Sequence, residues 1–210
     1  MVSGVVTDPD VGADGEGASI IVWSEQTAKT GDFDVFGRAF DSQGMPIGDP
    51  FLVNSGTEGD QINPSVDVNP QGDFAVVWET RATFKKQDVE AGVYGRFFNA
   101  EGEPLGEDFE VATETGNVVP GEPDVTVAND DSVNVVYLKQ APDGTATGVF
   151  YRTFTVSSPL GQCTSDNSTL CLNQGRFQVR VTWRDFQDAT AVARAVPLTD
   201  DTGYLWFFQS

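Results

Sequence analysis

Three stretches of the chain carry one hydrophobic–polar pattern and align without a gap. They are "PDVGADGEGASIIVW" (9–23), "PSVDVNPQGDFAVVW" (64–78) and "PDVTVANDDSVNVVY" (123–137). Each opens on proline and a short alternating run, turns through Gly, Asn or Asp, and enters a β-branched run ending in an aromatic. Alternation punctuated by turn formers predicts an antiparallel hairpin. A third strand follows each hairpin: "DVFGRAF" (34–40), "GVYGRFF" (92–98) and "GVFYRTF" (148–154). After it, "DSQGMPIGDPFLV" (41–53) and "NAEGEPLGEDFEV" (99–111) match again, as a turn leading to a fourth strand. The unit is thus about 55–58 residues and four strands, with no helical period, which fits β-propeller blades that bury one another's faces. Stacked β-sandwiches are the runner-up, but they need longer and less regular units.

The third copy stops after its third strand, at "TFTVSSPLGQ", and from Cys163 the text changes. "RFQVRVTW" (176–183) alternates strictly, as a half-buried strand does, and "GYLWFF" (203–208) reads as another strand. The expectation is all-β: an incomplete set of four-stranded antiparallel propeller-like blades over 1–157, roughly two and three-quarter of them. Part of a small β-sandwich-like module would then occupy 158–210.

Charge sharpens the division. Residues 1–157 hold 8 basic and 27 acidic side chains, and residues 158–210 hold 4 and 5. The net charge of −20 argues against nucleic acid and anionic membranes as partners, because phosphate binding needs clustered cations. No apolar run reaches the length of a membrane-spanning helix. "MVSGVVTDPD" has neither the basic nor the apolar region of a signal peptide, although a mature form or a fragment would lack one too. Cys163 and Cys171 flank "TSDNSTL", a polar turn-rich loop, and a disulfide between them is expected in an oxidising compartment.

The chemistry the chain can carry is narrow. With no histidine there is no Ser-His-Asp or Cys-His site, and two cysteines alone make a structural zinc site improbable. Arg38, Arg96 and Arg152 each sit between aromatics two residues away, on one face of a strand. Three arginines could converge on a carboxylate, as in sialidase propellers. Their recurrence at one place in every unit instead favours a structural cation–π and hydrogen-bonding role, with all three largely buried. Trp23 and Trp78 could stack on sugars, but their alignment with Tyr137 favours packing. Asp8, Asp10 and Asp14 in "DPDVGADGEG" are the weak calcium candidates. Their spacing carries one residue too many for an Asp-x-Asp loop, so a hairpin turn at Asp14-Gly15 is simpler and no cofactor is expected. No carboxylate pair stands out as a glycosidase pair, and "NST" (167–169) matches the N-glycosylation triplet.

The repeats resemble the "GDFVVVW…GVYGQRF…G.PLG.EF.VN" blades of large bacterial extracellular proteins. The "LCL…GRF.V.V.WRDF" and "AVPLTDDTGYLWFF" runs resemble an uncharacterised β-rich module at the C-terminal end of bacterial secreted and surface proteins. The resemblance implies an extracellular or cell-surface address and carries no catalytic residues. The expected function is a non-enzymatic binding or adhesion scaffold for a protein or glycan ligand. The alternative is a fragment of a propeller glycoside hydrolase or lyase, with its active site on other blades. An enzyme should then show non-repeated acids or arginine at a central funnel. "VSGVVTDP" (2–9) matches the stretch that follows a fourth strand in later repeats, and Tyr204–Phe208 is a strongly apolar strand at the other end. Both ends are therefore expected to need a partner, either further parts of a longer chain or self-association.

Overall fold

The computed structural model describes residues 4–28, 31–83, 88–113, 119–128, 132–140, 147–155 and 178–179. They form twelve strands in three antiparallel sheets. The first is β1 (Val6–Ala13), β2 (Ser19–Gln26), β3 (Phe33–Phe40) and β4 (Pro46–Leu52), paired in that order. The second is β5 (Asp60–Val68), β6 (Phe74–Arg81), β7 (Gly92–Phe98) and β8 (Phe109–Thr113). The third is β9 (Gly121–Val127), β10 (Ser132–Gln140), β11 (Thr147–Thr155) and β12 (Gln178–Val179). The fold is all-β and built of propeller-like blades. The third repeat does not stop at three strands: Val179 pairs with Phe154 and Gln178 with Thr155, so a two-residue strand occupies the fourth position. Sequence matching misses it because that strand lies beyond the break in the repeat. Cys163, Cys171 and the 203–208 strand lie outside the described residues. Among those residues, no helix is long and apolar enough to cross a membrane.

The sheets stack with their first strands together, β1 beside β5 and β5 beside β9. Alternation then makes two cores. Val22, Val35 and Val53 of the first sheet meet Val76, Trp78 and Phe98 of the second. Ala75, Val77 and Val93, on the opposite face of the second sheet, meet Val135, Tyr137 and Phe150 of the third.

The hairpins close as the turn chemistry predicts. The Asp14 carboxylate accepts the Glu16 and Ala18 amides at 2.8 and 3.0 Å, and Asn69 repeats this with Gln71 and Asp73. Asp41 does the same between β3 and β4. Such side-chain-to-backbone bonds replace a turn's missing ladder bonds.

A second recurrent device sits in each first strand. Asp8, Asn63 and Glu122, each followed by proline, hold φ of 51°, 50° and 48°. The ladder shifts there, placing two residues opposite Trp23, Trp78 or Tyr137. Proline has no N–H to lose from the ladder, so a bulge tolerates it. A left-handed residue before proline is strained, on the order of 1–3 kcal/mol, and needs support from its surroundings.

Candidate functional site at the loop end of the sheets

The antiparallel order puts the β1–β2 and β3–β4 turns at one end of each sheet. The β2–β3 loops and the connections between sheets lie at the other end. That second end carries the non-repeated charge. Glu79, near the end of β6, is 1% exposed, and Arg81 beside it is 36% exposed. Glu79 Oε2 accepts Arg81 Nε at 2.7 Å and pairs with the neighbouring guanidinium nitrogen at 2.5 Å. Its other oxygen accepts Asn63 Nδ2 at 2.9 Å and the Glu122 amide at 2.5 Å. One buried carboxylate thus ties the strained residue of β5 to that of β9. Ser24 holds the same repeat position in the first sheet; it is fully buried, and its Oγ has no hydrogen-bond partner among the described residues.

Between the first and second sheets lies a second acidic group. Asp32 and Asp34 are buried. Asp34 accepts Asn54 Nδ2 at 2.8 Å, and Asn54 Oδ1 accepts the Val35 amide at 2.7 Å. Asp60 accepts the Phe33 amide from across the sheet boundary. Burial raises the Asp34 carboxyl above its usual range; the Asn54 bond opposes this, and Asp32 and Asp60 add to it. Asp108 accepts the Ser55 and Gly56 amides of the preceding connection and lies 3.7 Å from Arg96. Glu79, Asp34, Asp60 and Asp108 each face backbone amides, an amide side chain or an arginine. Among the described residues, no group of three carboxylates or thiols is placed to hold a metal ion.

The three arginines do not converge. Arg38, Arg96 and Arg152 stand opposite Ile21, Val76 and Val135, the same register in three sheets. Arg38 donates to the Gly48 carbonyl at 3.0 and 3.2 Å, and Arg96 donates to the equivalent Gly106 carbonyl at 2.9 Å. Arg96 also reaches the Val53 carbonyl of the preceding sheet at 3.0 Å, and Arg152 reaches Val111, its repeat equivalent. Arg38 and Arg96 lie over Phe40 and Phe98, 5.9 and 5.8 Å from the ring centres. Burial is not uniform: Arg152 is 8% exposed, whereas Arg96 and Arg38 are both half-buried. Arg38 belongs to the first sheet, and no described sheet precedes it to offer a counterpart of the Val53 carbonyl.

Trp78 and Tyr137 are buried, Trp78 donating to Gln61 at 3.1 Å and Tyr137 stacking on Phe150. Trp23 stacks on Phe36 but is half-buried. The three aspartates of the calcium-like stretch go separate ways. Asp8 accepts the Thr7 hydroxyl, Asp10 accepts the Val66 amide of the next sheet at 2.9 Å, and Asp14 closes its turn. Residue-by-residue reading missed Glu79, Asp34, Asp108 and the strained column. The alignment does show a polar residue before proline at 8, 63 and 122, the one signal for that column. Glu79 and Asp34 break their repeat columns, and only the assembled sheets show what they bind.

No protein-family model and no curated protein matches the chain. A crystal structure of an endo-arabinase from Bacteroides thetaiotaomicron is similar over 70% of this chain, at 14% identity and a TM-score of 0.42. The chain spans 55% of that structure's length. A likeness this distant carries no argument about chemistry.

Proposed function

We propose that the protein is a non-enzymatic extracellular or cell-surface repeat protein, a binding or adhesion scaffold for a protein or glycan ligand. The observation that carries this reading is the engagement of the arginines. The side chains best suited to gather an anionic ligand instead hold main-chain carbonyls within and between sheets. The acidic composition keeps nucleic acid and anionic lipid off the surface. Localisation of the tagged protein in its host, together with glycan-array and surface-protein binding, tests the reading. Export and saturable binding without turnover are expected; confinement to the cytoplasm, or release of sugar products from a bound polysaccharide, would refute it.

One observation favours a second reading, a portion of a propeller hydrolase or lyase. Glu79 and Arg81 are a non-repeated carboxylate and guanidinium at the loop end, where such an enzyme would place its chemistry. The filled acceptor sites on Glu79 weigh against it. If product release is found, Glu79→Gln must abolish it; activity that survives that change removes Glu79 from the chemistry.

A further inference from the structure

Each junction between sheets is built from the same parts. On the covering sheet, a glycine in the third strand lies beneath a phenylalanine of the fourth: Gly37 under Phe51, and Gly95 under Phe109. A Cβ on Gly37 would stand 2.9 Å from Phe51, and one on Gly95 would stand 2.6 Å from Phe109, so the ring position requires glycine. The phenylalanine reaches onto the next sheet, Phe51 to Phe98 at 5.7 Å and Phe109 to Phe154 at 4.9 Å. The carbonyl of Val53 or Val111, two residues on, takes the next sheet's arginine.

The first sheet has the receiving half of this junction and no described cover. Phe40 stands where Phe98 and Phe154 do, and Arg38 where Arg96 and Arg152 do. Val11 is 60% exposed, whereas its repeat equivalents Val66 and Val125 are 5% and 8% exposed. The far face of the third sheet lacks the glycine of the covering half among the described residues. Tyr151 replaces the glycine, and its hydroxyl donates to Asn134, which also accepts the Thr153 hydroxyl. At 134, 151 and 153 that face carries polar groups where its counterparts carry Ile20 and Ala75, glycine, or Ala39 and Phe97, so a second copy of this chain lacks the glycine seat that both complete junctions use.

We propose that the open face of the first sheet, marked by Val11, Trp23, Arg38 and Phe40, is a docking surface for one further repeat of this class joined ahead of β1. In both complete junctions the covering sheet is the one that precedes in chain order. The occupant therefore brings a third-strand glycine, a fourth-strand phenylalanine and a free carbonyl for Arg38. This specifies the kind of partner and holds for a scaffold or an enzyme alike.

The test adds a second copy of residues 60–118 in register ahead of Val5 and maps hydroxyl-radical labelling residue by residue. Labelling of Trp23 and Phe40 is expected to fall about tenfold, to the level of Trp78 and Phe98; unchanged labelling overturns the proposal. Concentration-dependent protection of Trp23 in the unextended chain would assign the face to a second copy and overturn it equally. A further variant tests recognition without the added repeat. Gly95→Tyr in the unextended chain should raise labelling of Tyr137 and Phe154 several-fold while Trp78 stays protected. A rise there no greater than at Trp78 shows that the glycine–phenylalanine clasp does not decide docking.

Discussion

The second sheet buries Val76, Trp78 and Phe98 against the first, while Ile21, Trp23 and Phe40, at the same three repeat positions, stay half-buried. Their chemistry is almost the same; their neighbours are not. The contrast teaches that a repeat sequence encodes a junction, and the energy of each residue depends on whether the adjoining sheet is present. Solenoid-like and propeller-like arrays share this nearest-neighbour logic.

Breaking the comparison at its centre gives the largest effect. Trp78→Ala should cost about 3–5 kcal/mol, as expected for a large side chain removed from a packed core. Trp23→Ala should cost about 1–2 kcal/mol, because part of its surface is already in water. Urea denaturation of the two variants checks this, and equal losses would remove the distinction between the sheets. Next come Glu79 and Ser24, one repeat position with opposite hydrogen bonding. Glu79→Ala leaves Arg81, Asn63 and the Glu122 amide without their acceptor and should cost about 3 kcal/mol. Ser24→Ala removes a hydroxyl that is buried without a partner, so it should be neutral or stabilising by about 0.5–1 kcal/mol. Thermal melts of both decide it.

The smallest effects are pH-dependent. Tyr94 is pushed up to about 12 by burial, then by Glu90 and Glu110. Between pH 10 and 12 the folded state keeps a proton that the unfolded state loses, so stability falls as pH rises through that window. Tyr94→Phe should remove that slope, and an unchanged alkaline slope would contradict it. Asp34 follows the same linkage in acid. Its folded pKa lies above 3.8, so the penalty for its charge is present at neutral pH and is relieved as pH falls through the raised value. Asp34→Asn should be stabilising at pH 7 and neutral below pH 3.8, as read by denaturant midpoints; a loss at pH 7 would show that the charge itself is needed.

Much of this architecture was legible because the repeat aligns. Aromatic ends of strands, turn residues such as Asp14, and the shared face of Arg96 and Phe98 all follow from period-two geometry. What escaped was whatever depends on two sheets at once. The need for glycine at 37 and 95 shows only once Phe51 and Phe109 are seen lying over them. The cross-sheet bonds of Arg96 and Arg152 were hidden for the same reason, since the arginine sequences are equivalent and only the covering sheet differs. The pairing of β12 was hidden by distance along the chain, with 22 residues separating Thr155 from Gln178.

The central claim is that the repeated arginines are fasteners between sheets, and a side-by-side denaturation of Arg96→Ala and Arg38→Ala tests it most directly. Both changes remove a bond to a glycine carbonyl, at Gly106 or Gly48, but only Arg96→Ala also frees the Val53 carbonyl across a junction. Arg96→Ala should lose about 1–3 kcal/mol, with Arg38→Ala losing less than half as much. Equal losses, or no loss from Arg96→Ala, would contradict the account.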